Sequence, residues 1–230
     1  MGISFTRGNR EMKAMWRTVG LACMAVLMTG LIAESGAIGK EEKDPLNIEG
    51  GILDEIHLKV ATLSPGVPVV IRKFSTEGAS LGTADQKDAP PHRTEAIAAI
   101  QKVGPDLLAE ALTAELKTQG VFKELLTQEG APVPENAVVV EGRFVLFDPG
   151  SRAKRYWAGF GAGKSGVGVE GRITNAAGET LCEFKHRRHS GIGLGGGDYF
   201  KFLSDDTKDV GRDIAKFLDA WAAGKRLDKE

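Results

Sequence analysis

The sequence is poor in cysteine and histidine, with two cysteines and four histidines among 230 residues. Cys23 lies in an apolar stretch near the start, so the rest of the chain has only Cys182 and cannot form an internal disulfide. We expect Cys182 to be a buried, unreactive thiol, because it shares a face of a predicted strand with Phe184. No histidine or cysteine spacing matches a zinc site, and we expect no metal and no other cofactor.

The sequence also lacks an excess of either charge, since its formal net charge is -1. The first 37 residues hold four cations and two anions, and their removal lowers the net charge to -3. A nucleic-acid-binding protein needs a basic surface that neutralises phosphates. The near-neutral composition therefore predicts that the chain does not bind nucleic acid.

The apolar run Val19–Ala33 has 15 residues, fewer than the roughly 20 that a transmembrane helix needs. Basic residues precede it, and the small residues Ser35, Gly36 and Ala37 follow it. This pattern predicts a signal peptide over residues 1–37 that is cleaved after Ala37, which sends the chain to the periplasm or outer envelope. An uncleaved leader that anchors the chain in the inner membrane is the alternative. Met12 is a second possible start.

After the leader we predict an N-terminal extension over residues 38–64 and a single domain over residues 65–225. In the extension, Ile52, Ile56, Leu58 and Val60 predict either one edge strand or a loose helix. Runs rich in β-branched residues predict five strands, and Asn175–Gly178 predicts a tight hairpin between the last two. Apolar residues at helical spacing predict one helix ending near Gly120 and another from a cap at Ser204 to Gly224. The order predicts an α+β domain with a mostly antiparallel sheet of about five strands and two main helices packed on one face.

Several segments in this order resemble a bacterial envelope family of unknown function, the domain-of-unknown-function family numbered 4410. The segments are Val138–Phe144, Phe147–Ser151, Gly159–Ser165, the Asn175–Gly178 hairpin and the glycine-rich stretch before the final helix. The resemblance covers roughly residues 65–223. It implies an envelope location and supplies no activity and no catalytic residues. Many members look like lipoproteins, but Cys23 lacks the leucine three residues earlier that lipidation requires.

The segment Ala158–Ser165 partly matches a phosphate-binding loop. Such a loop needs a buried strand before it and a helix after it, so that backbone amides face the phosphate. Here a basic stretch precedes the segment and a residue pattern typical of a strand follows it. The glycines are better explained by close approach between strands or by an exposed hairpin.

Two basic stretches flank the glycine-rich segments, and aromatic residues accompany the first. Tryptophan, tyrosine and arginine are enriched at binding hot spots. We therefore predict a contact surface made of Arg152, Lys154, Arg155, Tyr156, Trp157, Phe160, Lys164, His186, Arg187 and Arg188. Solvated strand ends and plain sheet packing are the alternatives for these residues.

No credible Ser/His/Asp set is present, and no glycine-x-serine-x-glycine elbow occurs. The hypothesis we favour is an exported, non-catalytic binding or assembly module that contacts an envelope partner or the membrane surface. The alternative is a periplasmic enzyme or small-ligand-binding protein with its site among residues 75–91 and 189–197. A compact apolar pocket with converging polar groups would favour that alternative.

Overall fold

The computed structural model describes residues 47–82, 91–123, 125–127, 132–150, 165–189 and 198–228. All of them belong to one compact unit, Glu42–Glu230. The leader that the sequence predicts lies outside the described residues. The described elements are, in chain order, β1 (Asn47–Glu49), β2 (Glu55–Leu58), β3 (Val69–Ile71), α1 (Pro91–Gln119), β4 (Leu125–Leu126), β5 (Val138–Asp148), β6 (Gly166–Asn175), β7 (Thr180–Arg188) and α2 (Tyr199–Ala222).

The seven strands form a single mixed sheet in the order β1-β2-β7-β6-β5-β3-β4. Strand β3 pairs in parallel with both β4 and β5, and the other pairs are antiparallel. The predicted mostly antiparallel sheet of about five strands is therefore wrong. Helix α1 follows β3 and returns the chain across the domain, so β4 and β5 run in the same direction as β3.

The two strands absent from the five predicted ones, β1 and β2, lie within residues 38–64. They form a short antiparallel hairpin, and β2 pairs with β7 through Leu58 opposite Cys182. Leu53, in the connection between the two strands, and Ile56, in β2, are fully buried. The N-terminal segment thus contributes to the sheet and to the hydrophobic core.

Both helices share one hydrophobic core with the same face of the sheet. Helix α2 packs closely on α1, and a Cβ atom on Gly211 would lie only 2.6 Å from the carbonyl oxygen of Leu108. Helix α2 begins earlier than the sequence predicts. Its cap is Asp198, whose carboxylate accepts the backbone N–H groups of Phe200 and Lys201. The predicted cap Ser204 therefore lies inside the helix and is buried.

Strand β5 carries a bulge between Phe144 and Leu146, so Val145 has no partner in β6. Strict alternation from Val138 would point Leu146 into the core. The extra residue shifts the alternation, and Phe147 is fully buried instead. Its ring stacks on that of Phe144, with centroids 4.8 Å apart.

Two facing glycines make room for aromatic rings on the core side of the sheet. Gly142 of β5 lies opposite Gly171 of β6, and Gly171 lies opposite Phe184 of β7. A Cβ atom on Gly171 would lie 2.5 Å from the ring of Phe184, and one on Gly142 would lie 2.6 Å from the ring of Phe74. Any side chain at these positions would collide with a buried ring.

We expect Gly171→Ala to lower the free energy of unfolding by about 2 kcal/mol, because the added methyl overpacks the core against Phe184. Denaturant unfolding monitored by circular dichroism measures this change. Gly168→Ala in the same strand is the matched control, since its nearest neighbours are side-chain carbons of Leu146 and Val145 at 3.2 Å and not a buried ring at 2.5 Å. Equal stability of wild type and Gly171→Ala would contradict the close packing.

Candidate functional site

The sheet face turned away from the helices carries alternating acidic and basic side chains. Strands β5, β6 and β7 each contain an acidic residue followed two positions later by a basic one: Glu141 and Arg143, Glu170 and Arg172, Glu183 and Lys185. Residues two apart on a strand share a face. Because the three strands are antiparallel neighbours, each acidic residue lies opposite a basic residue of the next strand.

This arrangement creates two charged rows across four strands, which we call the outer face. The first row is Glu141, Arg172, Glu183 and His57, and the second row is Arg143, Glu170, Lys185 and Glu55. Arg172–Glu141, Arg143–Glu170 and Lys185–Glu55 are ion pairs, each 2.6 Å long. Exposed pairs of this kind contribute only about 0–1 kcal/mol each. Their importance lies in the ordered charge pattern that they present to solvent.

The outer face forms an open concavity of about 890 Å³ whose lining side chains are mostly charged. Its lining contains one hydroxyl group, that of Ser75, and no nucleophile that is paired with a base. Among the described residues, no set of three or more histidine, cysteine, aspartate and glutamate side chains is placed to hold a metal ion.

A second polar cluster lies where β7 ends. His186 is buried, and its Nε2 atom lies 2.9 Å from Oδ2 of Asp213 on helix α2. Arg188 donates to the same carboxylate oxygen. The Nδ1 atom of His186 lies 3.3 Å from Asp54, without hydrogen-bond geometry, while Asp54 accepts the backbone N–H of Arg187. The cluster fastens β7 to helix α2 and to the residue before β2.

Asp213 is the centre of this cluster. Its burial alone would raise the pKa, but hydrogen bonds from His186 and Arg188 outweigh that effect and hold the pKa at about 2. The carboxylate is thus charged throughout the neutral range and compensated by its partners. Cys182 behaves oppositely, since burial raises its pKa to about 12 and leaves an unreactive thiol.

The structure describes three of the ten predicted contact residues. His186 is buried against Asp213, Arg188 is half-exposed and paired with Asp213, and Arg187 is exposed. Arg152, Lys154, Arg155, Tyr156, Trp157, Phe160 and Lys164 lie outside the described residues. The chain departs after β5 at Asp148, opposite Gly166 where β6 begins, and Arg188 at the end of β7 lies opposite Val167. The flanks of both predicted basic stretches therefore meet at one end of the sheet.

Sequence analysis missed the outer face, although its signal was readable. The triplet Glu-Gly-Arg occurs at 141–143 and again at 170–172, and Glu-Phe-Lys follows at 183–185. Each triplet places its charges on one face and its middle residue on the other. Repetition of this triplet on consecutive antiparallel strands predicts the charged rows.

Neither described helix is long and apolar enough to cross a bilayer.

We expect Asp213→Asn to lower the free energy of unfolding at pH 7 by about 2 kcal/mol, the stabilisation implied by its depressed pKa. Since the folded pKa is below the unfolded one, this stabilisation is complete above about pH 4 and disappears as the pH falls towards about 2. Urea unfolding at pH 7 and pH 3 measures both values. Asp209→Asn, which removes an exposed carboxylate paired with Arg212, is the control. A pH-independent difference between wild type and Asp213→Asn would contradict this assignment.

No curated protein matches the sequence. Among solved structures, the PelC dodecamer from Paraburkholderia phytofirmans is 11% identical, with 70% of this chain and 96% of that chain covered and a TM-score of 0.39. Protein XCC0632 from Xanthomonas campestris, of family DUF330, is 9% identical, with 73% and 91% covered and a TM-score of 0.40.

The family profile described as a domain of unknown function, DUF4410, matches residues 69–193, which is more than half of the chain. The match spans β3 to β7 and includes the outer-face triplets and the end of β7. It confirms the resemblance noted in the sequence. The chain belongs to the DUF4410 family.

Proposed function

We propose that this protein is an exported, non-catalytic binding module that contacts an envelope partner or the membrane surface through one end of its sheet. The observation that carries the proposal is the convergence at that end. Strand β5 ends at Asp148, β6 begins at Gly166, and β7 ends at Arg188 in neighbouring positions. Seven of the predicted contact residues lie in the chain between β5 and β6, and three lie at the end of β7. All ten are therefore joined to the sheet at the same end.

The described part of this contact surface offers two cations, Arg187, which is exposed, and Arg188, which is half-exposed and paired with Asp213. The backbone of Arg187 is held by Asp54, and the neighbouring Arg188 and His186 are tied to Asp213. In this proposal His186 and Arg188 position the strand end, and Arg187 contacts the partner. Arg155, Tyr156 and Trp157 supply the aromatic and cationic groups that dominate binding at interfaces.

An enzymatic or small-ligand role has less support from the described residues, and residues 83–90 and 190–197 of its predicted site lie outside them. The concavity on the outer face is open and lined mostly by charged side chains. A small-molecule site is typically enclosed, largely apolar and equipped with a few converging polar groups. The only free cysteine described, Cys182, is buried and protonated at neutral pH, so it does not serve as a nucleophile.

The test compares the processed chain with its Arg155→Ala/Trp157→Ala variant. Recovery is measured on vesicles of phosphatidylglycerol and phosphatidylethanolamine, on phosphatidylcholine vesicles, and with detergent-solubilised envelope proteins. We expect the variant to lose at least fivefold in recovery in one of these assays, because one anchor ring and one cation are removed.

Lys102→Ala/Lys117→Ala is the control, since both lysines are exposed on α1. It should behave as wild type. Loss only on anionic vesicles identifies the membrane surface, and loss of one specific protein identifies a partner. Equal recovery of wild type and the Arg155/Trp157 variant in all assays would refute the proposed contact.

A further inference from the structure

The two charged rows of the outer face border a strip of open backbone, which we call the trough. Each cross-strand ion pair lies within one row, Arg172 with Glu141 in the first and Arg143 with Glu170 in the second. The paired side chains therefore extend along the rows and leave the strip between them uncovered. Since the rows are two residues apart on each strand, the trough is about 7 Å wide. Its floor is formed by the residues between the charged ones: Gly142, Gly171 and Phe184.

The lining of the trough holds more basic than acidic residues. The acidic ones are Glu141, Glu170 and Glu183, and the basic ones are Arg72, Lys73, Arg143, Arg172 and Lys185. Besides the two pairs within the rows, Lys73 pairs with Asp106 and Lys185 with Glu55. Arg72 is half-buried, and its side chain forms no ion pair or hydrogen bond with any described residue. A partly desolvated guanidinium without a partner favours the binding of an anion.

Arg72 extends the first row at the β3 side of the sheet. Its backbone N–H donates to the carbonyl of Val140 and continues the register of β3 and β5, which places Arg72 beside Glu141. At the other side, Glu183 of β7 lies opposite Arg172. Glu183 is exposed, and within the described part of the chain its carboxylate has no ion pair or hydrogen bond. The row therefore presents a free cation at one end and a free anion at the other.

These two charges restrict what the trough can bind. A polyanion would be repelled by the three acidic residues of the lining. A ligand with one anionic end and one cationic group is complementary to Arg72 and Glu183. The planar guanidinium matches a carboxylate, which it binds through two parallel hydrogen bonds. Strands β3 and β7 are three strand spacings apart, about 14 Å, which is the length of about four residues of an extended peptide.

The walls and floor of the trough suit a peptide backbone. A carboxylate has about four acceptor sites and a guanidinium has five donors, so one ion pair leaves groups free to bond the N–H and C=O groups of a ligand. The methylene stems of the arginine and lysine side chains and the backbone carbons of Gly142 and Gly171 supply apolar contact. Open grooves bind extended peptides through such main-chain bonds and through capture of a terminal carboxylate.

We propose that the trough binds the extended C-terminal tail of another polypeptide. The terminal carboxylate of the tail pairs with Arg72, and a basic side chain about four residues from the end pairs with Glu183. The tail lies across β5, β6 and β7 over the floor of the trough. This site uses residues other than those of the proposed contact surface. Either proposal can fail without the other, and the Arg155→Ala/Trp157→Ala variant should bind the tail as wild type does.

The experiment titrates the isotope-labelled processed chain with short peptides and follows its backbone amide shifts by NMR. The test peptide is N-acetylated lysyl-alanyl-alanyl-alanine with a free carboxylate. One comparison peptide has a C-terminal amide, and another has glutamate in place of lysine. The variants are Arg72→Gln and Glu183→Lys. The matched control is Arg212→Gln, which removes an exposed cation from α2, on the other side of the sheet. Circular dichroism establishes that all of them are folded.

We expect wild type and Arg212→Gln to bind the test peptide saturably at about millimolar concentration, because an open site makes few contacts. The largest shifts should fall on Gly142, Gly171 and Phe184. Amidation of the peptide and Arg72→Gln should each weaken binding about tenfold, since each removes a hydrogen-bonded charge pair. Glu183→Lys should bind the lysyl peptide about threefold more weakly and the glutamyl peptide about threefold more tightly than wild type, because this pair is exposed.

Three results would overturn the proposal. One is the absence of saturable shifts in wild type at about 20 mM test peptide. Another is equal affinity of wild type and Arg72→Gln for the test peptide, or of wild type for the carboxylate and amide forms, which would mean that Arg72 does not hold a carboxylate. The third is a Glu183→Lys variant that prefers the lysyl peptide as strongly as wild type does.

Discussion

The register that places Gly142 opposite Gly171, and Gly171 opposite Phe184, is the constraint on which the rest of the structure depends. On the core side, the absent side chains of the glycines admit the rings of Phe74 and Phe184. On the other side, the residues that flank the glycines pair as Glu141 with Arg172 and Arg143 with Glu170. A slip by one residue would turn the charges inward and the rings outward. Core packing and surface charge therefore specify the same register.

This constraint gives the sheet one face that packs against the helices and one face that neither described helix covers. Helices α1 and α2 cover the apolar face, and Asp213 ties α2 to the end of β7 through His186 and Arg188. The end of the sheet is thereby fixed in position, which suits a surface whose contact residues extend from strand ends. The outer face is ordered by ion pairs and remains open. Both features agree with a protein that acts by binding.

Much of the fold could be predicted from local patterns. Asn175–Gly178 joins β6 and β7 as predicted, since Asn175 accepts the backbone N–H groups of Ala177 and Glu179 through its side chain. The parallel pairing of β3 could not be predicted, because nothing in a short apolar strand encodes its neighbour. The cap of α2 is Asp198, which follows the glycine-rich stretch directly, and not the predicted Ser204. The sequence missed it because apolar periodicity alone does not locate a helix start.

For the candidate site, too, one part could be predicted from the sequence and another could not. The charge rows follow from a triplet repeated on antiparallel strands, so the outer face is readable once the strand order is known. The role of His186 was not readable, because its carboxylate partners come from residues 54 and 213, far away in sequence. The sequence presented His186 as one of several basic residues, whereas tertiary packing buries it between two elements.

The central claim, an exported module that acts by contact, is tested most directly by the compartment and mass of the chain in a bacterial host. A C-terminally tagged full-length chain is expressed, the cells are fractionated, and the intact mass of the recovered protein is measured. The account predicts a chain that begins at Ile38 and is found outside the cytoplasm. Recovery of the intact 230-residue chain from the cytosol, with its first 37 residues still attached, would contradict it.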